Sequence, residues 1–262
     1  MTFKICIVSK DDEFKISSSD AGTFMFNHEG SDITFKKNNS ENLTKVYNGF
    51  ISDSLDKEKN EFKHDFIVFL HSDVLVDLEK LCDHIEKCAE KYDVMGLCGC
   101  DKISVSESPL NWFTGSNKFR TSRWGCVCHG DDNSLISFYS KDRPDITDHA
   151  VSCIDGLCII ISKKAVEKGL RFDERLAFDC YDTQISFDAI MNFGLEVGCL
   201  VEPELRHFSV GKSIISEKFL DSELIVREKF GLGIPKGSRI EQYLAKKAAE
   251  ELKNEEAEKE RT

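Results

Sequence analysis

The chain has 262 residues, 40% of them hydrophobic, enough for one large domain or two small ones around a substantial core. Its 35 basic and 47 acidic residues give a formal net charge of -12. That excludes a general polyanion-binding surface, since phosphate-backbone affinity rests on Lys and Arg, but it leaves room for a local basic groove.

Phe3 to Ser9 reads as a buried, β-branched first strand. No secretory signal precedes it, and no apolar run reaches the length needed to span a bilayer, so the expectation is a soluble, cytoplasmic protein. Ile33 to Phe35 is a second strand. Ser40 is the expected cap of a helix running through Leu43, Val46, Tyr47 and Phe50. Asp65 to Leu70 is a third strand, ending in His71-Ser72-Asp73. Asp77 opens a helix with Leu78, Leu81, Cys82 and Ile85 on one face, and Asp93 to Cys98 returns to strand. This alternation predicts an α/β fold with a mostly parallel central sheet covered on both faces.

Residues 101 to 150 break the pattern. They hold Trp112 and Trp124, a basic cluster of Lys118, Arg120 and Arg123, and many Ser, Asn and Asp, and they read as a long, partly ordered excursion. Order resumes with a strand over Ile154 to Ile161, led in by Asp155-Gly156. A short helix from Ser162 stops at Gly169. An acidic stretch, Phe178 to Asp182, precedes a helix that buries Ile185, Ala189 and Phe193. Val197 to Val201 is a strand, Leu205 to Ser209 follows it, and Ser216 to Phe230 is a helix. From Leu244 onward Ala, Glu and Lys describe a solvated or frayed helix, a candidate oligomer contact. The eleven cysteines, odd in number and set in apolar segments, read as reduced thiols. Cys98, Cys100, Cys126, Cys128 and His129 lack the C-x-x-C spacing of a zinc knuckle.

Three polar clusters follow strands or open helices: His71-Ser72-Asp73, Asp179 to Asp182, and His207. In open α/β sheets ligands sit at the carboxyl ends of strands, so all three can meet at one edge. Asp73 is the best candidate ligand for Mn²⁺ or Mg²⁺. His71 can ligate too or touch a nucleotide, and His207 can complete the shell or be a hydrogen-bonded structural histidine. Asp182 is the candidate general base, against the competing reading of a helix N-cap; Asp179 is the reserve base.

In these residues the chain resembles GT-A fold inverting glycosyltransferases of the large family 2-like group, particularly its small bacterial and viral branch. The resemblance spans roughly residues 3 to 213. It is carried by Phe3 to Ser9, by Asn39 with Leu43, Tyr47 and Asn48, and by the strand and acidic motif Phe66 to Asp73. Asp155-Gly156-Leu157, Phe178 to Asp182, and His207-Phe208-Ser209 with Gly211 complete it. It implies a UDP-sugar donor, a divalent metal and inversion by direct displacement with an aspartate base. Donor contacts are implied for Val8, Ser9, Asp32, Asn39, His71, Ser72, Asp73, Asp155 and Gly156, and metal contacts for Asp73, His71 and His207. The sequence departs from the pattern at His71, where the first acid of a D-x-D motif is usual. The implied organisation is a transferase domain over 1–215, with a nucleotide-binding half (1–100) and an acceptor half (101–215), and a helical extension over 216–262.

The acceptor stays open. One expectation is a hydroxyl on a surface glycan or small saccharide. Another is a hydroxymethylated base in phage DNA. Lys36, Lys37, Lys118, Arg120, Arg123, Lys141 and Arg143 would then line a basic channel, with Trp112 or Trp124 stacking on a flipped base. A third is a nucleotide-sugar-binding module without catalysis. A nucleotidyltransferase is disfavoured, because Ser9-Lys10-Asp11-Asp12-Glu13 stands where a Gly-rich phosphate loop would be expected.

Overall fold

A computed structural model of the chain describes residues 1–10, 29–56, 58–59, 61–108, 110, 122–130, 135–138, 146–201, 205–208 and 215–259. Ten elements lead to the middle of the chain: β1 (Phe3–Val8), β2 (Asp32–Lys36), α1 (Leu43–Asp53), β3 (Leu55–Asp56), β4 (Glu61–Phe62), β5 (Phe66–His71), β6 (Val74–Val76), α2 (Leu78–Cys88), β7 (Val94–Gly96) and β8 (Cys98–Cys100). Then come β9 (Arg123–His129), β10 (Leu135–Phe138), β11 (Asp148–Ala150), β12 (Cys153–Ile154), β13 (Cys158–Ser162), α3 (Lys163–Glu167) and α4 (Tyr181–Phe187). A π-helical turn over Asp188–Asn192 continues α4 into β14 (Val197–Leu200), β15 (Leu205–His207), α5 (Glu217–Lys229) and α6 (Arg239–Lys259).

The main sheet has the order β11-β14-β7-β13-β5-β1-β2. Strands β2, β1 and β5 run parallel, as do β14 and β7. Strand β13 lies antiparallel between β5 and β7, and β11 antiparallel on β14; the other five strands of this sheet run one way, so the α/β fold and its mostly parallel sheet are as expected. A second sheet, β12-β8-β9-β15-β6 with β10 on β9, stands at the carboxyl end of β5.

Two-residue periodicity sorts the core into two layers. Phe66, Val68 and Leu70 of β5 pack with Leu78, Leu81 and Ile85 of α2, while Ile67 and Phe69 pack with Val46, Tyr47 and Ile51 of α1 and Tyr181 and Ile185 of α4. By the same parity His71 points into the α1/α4 layer. The eleven cysteines are thiols, ten of them buried and Cys128 half-buried.

Helix starts follow the sequence where a side chain caps them. Asp77, Ser162 and Ser216 each accept a backbone N–H from the first turn of α2, α3 and α5. Helix α1 differs. It begins at Leu43 behind Asn42, not at Ser40, and no side chain caps it. Instead the Leu43 N–H donates to the Ala177 carbonyl at 3.0 Å and the Thr44 hydroxyl donates to the Leu176 carbonyl. Tertiary acceptors thus set a start that a local signal would place earlier.

Two further expectations need correction. The apolar run from Ile154 to Ile161 is not one strand. The Asp155-Gly156-Leu157 turn divides it between the two sheets, with Asp155 donating its N–H to Cys98 and His71 donating its N–H to Leu157. The excursion over 101–150 also contributes three strands, β9, β10 and β11. Trp112, Lys118, Arg120, Lys141 and Arg143 lie outside the described residues, as do Asp11, Asp12, Glu13, Ser209 and Gly211.

Helix α5 is welded to the body by a buried ion pair. Arg227 meets Glu223 at 2.8 Å, and both side chains are almost wholly enclosed. The same guanidinium donates to the carbonyls of Val105, Glu107 and Gly233, and the Ser108 hydroxyl donates to Glu223. Lys229 reaches Asp188 in the π-helical turn. Among the described residues no helix is long and apolar enough to cross a membrane.

Candidate active site

Strand β5 delivers His71 to its carboxyl end, and Ser72 and Asp73 form the turn into β6. Strand β15 pairs antiparallel with β6 so that His207 stands opposite Val74, the residue after Asp73. This register brings the His207 Nε2 to 3.3 Å from the Asp73 Oδ2. Backbone bonds fix the pair: Phe208 donates to the Asp73 carbonyl and Gly130 to the His207 carbonyl. Burial opposes ionisation of Asp73. The hydrogen bond and field of His207, then the field of His71, outweigh it and hold the carboxyl at about 2.

The second acid has the opposite character. Asp182 sits in the first turn of α4, and the residue at the cap is Cys180, in the left-handed region at φ 63°. A non-glycine residue there costs about 1–2 kcal/mol and turns the chain sharply into the helix. The Asp182 carboxylate accepts the Thr183 N–H at 2.7 Å and a further bond from the Gly156 N–H. Burial, then the charge of Asp155, push its pKa up to about 7 against these backbone bonds. Asp155 in turn accepts the Leu157 N–H at 2.8 Å, which closes the turn between β12 and β13.

Tyr181 joins the two halves. Its hydroxyl donates to the Gly156 carbonyl at 3.0 Å and lies 2.6 Å from the His71 Nε2. Since the tyrosine proton goes to Gly156, the imidazole is the donor in the second bond. Burial lowers the His71 pKa, with Asp73 and Asp155 pulling the other way. Gly156 is glycine because a Cβ there would stand 2.2 Å from the tyrosine oxygen. Tyr181 carried no signal of its own in the sequence. It lies inside the acidic stretch, and the glycine across from it was the nearest hint.

The other expected residues divide. Val8 pairs with His71 in parallel register, and buried Ser9 bonds through its backbone to Lys36 and Asn39, so all three line the same edge. The Asn39 side chain is spent on the Glu41 backbone. Asp32 does not join them. The parallel register sets it opposite Lys4, four residues and about 13 Å from the His71 edge. There it binds Lys4 at 2.5 Å and faces His64 at 3.5 Å. Asp179 lies half-buried in the turn before α4, and its charge helps raise the Cys180 thiol. Trp124 is 1% exposed and stacks on His149, and Arg123 is half-buried in β9, so neither presents the open surface that a flipped base or a phosphate backbone would need.

For a divalent cation the fit is partial. Among the described residues no group of three or more His, Cys, Asp and Glu side chains is arranged to hold one, and the set of His71, Asp73 and His207 is not gathered as a triad. The His71 Nε2 is instead bonded to the Tyr181 hydroxyl. Asp73 and His207 remain, one oxygen and one nitrogen donor facing each other. That pair suits an ion that completes its shell with water and substrate phosphates.

No family model and no curated protein sequence matches this chain. Solved structures similar to it include A197 from STIV, at 14% identity over 83% of this chain and 87% of that one, with a TM-score of 0.41. S. aureus TarS is similar at 12% identity over 94% of this chain and 42% of its own, with a TM-score of 0.50. GalNAc-T7, solved with UDP, GalNAc and Mn²⁺, is similar at 11% identity over 87% of this chain and 47% of its own, with a TM-score of 0.46. The chain thus spans less than half the length of the last two. The likeness is one of fold, and the fold is GT-A-like.

Proposed function

We propose that the chain is a metal-dependent inverting glycosyltransferase that moves a sugar from a UDP-sugar to a hydroxyl of a glycan or small saccharide. The observation that carries this reading is the pair of unlike acids at one sheet edge. Asp73 is held ionised beside His207, and Asp182 is poised near neutrality. One tyrosine ties the two segments together.

In this reading Asp182 is the general base. It takes the proton of the acceptor hydroxyl as that oxygen bonds to the anomeric carbon, while the bond from that carbon to the diphosphate oxygen breaks. A base whose pKa lies near the working pH is effective in such a step. Asp179, in the same turn, is the reserve. Asp73 and His207 would hold Mn²⁺ or Mg²⁺, which neutralises charge on the departing diphosphate. His71, oriented by Tyr181, borders the donor, and Val8, Ser9 and Ser72 line the same edge. Asp155 and Gly156 face the base.

A glycan fits better than DNA as acceptor. The chain is acidic overall, Lys36 is paired with Glu41, and Arg123 and Trp124 belong to the β9 packing. Thermal unfolding with UDP-, GDP- and TDP-sugars, with and without Mn²⁺, followed by assay of UDP release, tests the reading. A rise in melting temperature with a UDP-sugar and Mn²⁺, plus turnover, is expected. A wild-type protein that neither hydrolyses nor transfers any UDP-sugar would refute it.

A further inference from the structure

Helix α4, which carries the base, has little in its own sequence to hold it. It is seven residues long, and of YDTQISF only Gln184 is a strong helix former. No side chain caps it at Cys180, and beyond Phe187 it runs into the π-helical turn Asp188–Asn192. Such turns are rare and are frequently found at functional sites. A buried carboxylate stands at the junction. Asp188 is 4% exposed, and it accepts from Gln184, from Asn192 at 2.6 Å and from Lys229 at 2.5 Å. Two of these donors lie four residues before and four after Asp188, within the helix itself. The third comes from α5, 41 positions away. The Lys229 ammonium also lies 3.7 Å from the Asp173 carboxylate. Asp173 in turn donates its N–H to the Oε1 of fully buried Gln184 at 2.9 Å. Lys229, Asp188, Gln184 and Asp173 thus close a ring of polar contacts around the far end of α4.

We propose that Lys229 is a positioning residue for the base. By holding Asp188 it sets how α4 lies against α5, and so where the Asp182 carboxylate stands six residues earlier. This rests on the glycosyl-transfer reading, in which Asp182 takes the acceptor's proton, and adds the residue that aims it. The near end of α4 has its own tie. The Ile154 N–H donates to the Ser186 hydroxyl, which donates to the Asp182 carbonyl at 2.7 Å. That tie fixes one point of the helix, and an axis needs two. Lys229 supplies the second from a fixed base, since the Arg227–Glu223 pair fastens α5 to the carbonyls of Val105 and Glu107. A shift of about 1 Å in a reacting group can cost about a hundredfold in rate, so the direction of a helix this short matters to the chemistry at its start. Asp73 and His207 are carried by other elements, the turn into β6 and β15, so a change at Lys229 acts on the base and spares the donor.

Lys229→Met keeps the stem and removes the charge. The assay is UDP release from UDP-glucose, UDP-galactose or UDP-N-acetylglucosamine, whichever the wild type turns over. The variant should lose about ten- to a hundredfold in kcat, while its calorimetric affinity for UDP with Mn²⁺ stays within about twofold of wild type. Lys229→Arg, which can still meet Asp188, should restore most of the rate. Lys246→Met breaks the exposed pair with Glu217 at the other end of α5 and should leave kcat at the wild-type value. If Lys229→Met fails to fold because Asp188 is left buried without its cation, Lys229→Met combined with Asp188→Asn removes both charges and takes its place. An unchanged kcat in the folded variant would overturn the proposal. So would a matching loss of UDP affinity, or no recovery in Lys229→Arg. Turnover by the wild type, measured alongside, separates the two levels. Without it the transferase reading and the positioning role fall together; with it, any of these outcomes sinks the positioning role alone.

Discussion

The turn between β5 and β6 and the first turn of α4 each present an aspartate to the same edge of the molecule, and the two environments drive them apart. Asp73 has a histidine at 3.3 Å and stays ionised down to about 2. Asp182 has burial and another carboxylate beside it, and it titrates near 7. The residue type is shared, so neighbours alone decide which acid can hold a cation through the pH range and which can pick up a proton. Pairs of titratable groups pushed to opposite extremes are a common way for a site to divide acid–base work.

The contrast can be broken at either end. Asp182→Asn should lower kcat about 10³-fold, the scale of a lost general base, while UDP binding measured by calorimetry persists. Loss of both together would assign Asp182 to the donor instead. Asp73→Asn should weaken Mn²⁺-dependent UDP binding by about a hundredfold and leave metal-free binding little changed. Equal effects with and without the metal would remove Asp73 from the cation.

The contrast sharpens with pH. The base works deprotonated, so kcat/KM should rise with pH through about 7 and level off above it. Burial remains in Asp155→Asn, but the like charge goes, so the rising limb should move to lower pH. A limb that stays in place would mean Asp155 does not act on the base. Stability follows the same sign. The folded pKa of Asp182 is raised, so its favourable contribution is complete below pH 4 and is lost as pH rises through about 7, and Asp182→Asn should raise the melting temperature at pH 8. The smallest effect is expected at the bridge. Tyr181→Phe removes the hydroxyl shared by Gly156 and His71, which should cost about 1–3 kcal/mol in urea denaturation, the scale of buried polar groups left unpaired.

Much of this fold was legible because its determinants are local. The buried β-strands, the Asp77, Ser162 and Ser216 caps, and the left-handed Gly169 and Gly194 at helix ends each follow from a few neighbouring residues. The misplaced start of α1 depends on carbonyls more than 130 positions away. The split of the run after Cys153 depends on Asp155 bonding to Cys98 in the second sheet and Leu157 to His71 in the main one. Strand β9, RWGCVCH, shows no alternation, because its middle residues are buried whatever their parity. In the site, Asp73, Asp182 and His207 stood out through residue type and position after strands or before a helix. Asp32 misled because composition does not reveal which end of a parallel strand a residue occupies. Tyr181 was hidden because an aromatic residue beside a helix start ordinarily belongs to the core.

The Arg227–Glu223 pair also bears on how the chain can be shortened. Ending it at residue 215 would remove α5 and strand the carbonyls of Val105 and Glu107 and the Ser108 hydroxyl without the groups that now clasp them. The segment after 215 is therefore a fastening for the opening of the 101–150 stretch, and a minimal version of this protein has to keep it at least through Gly233.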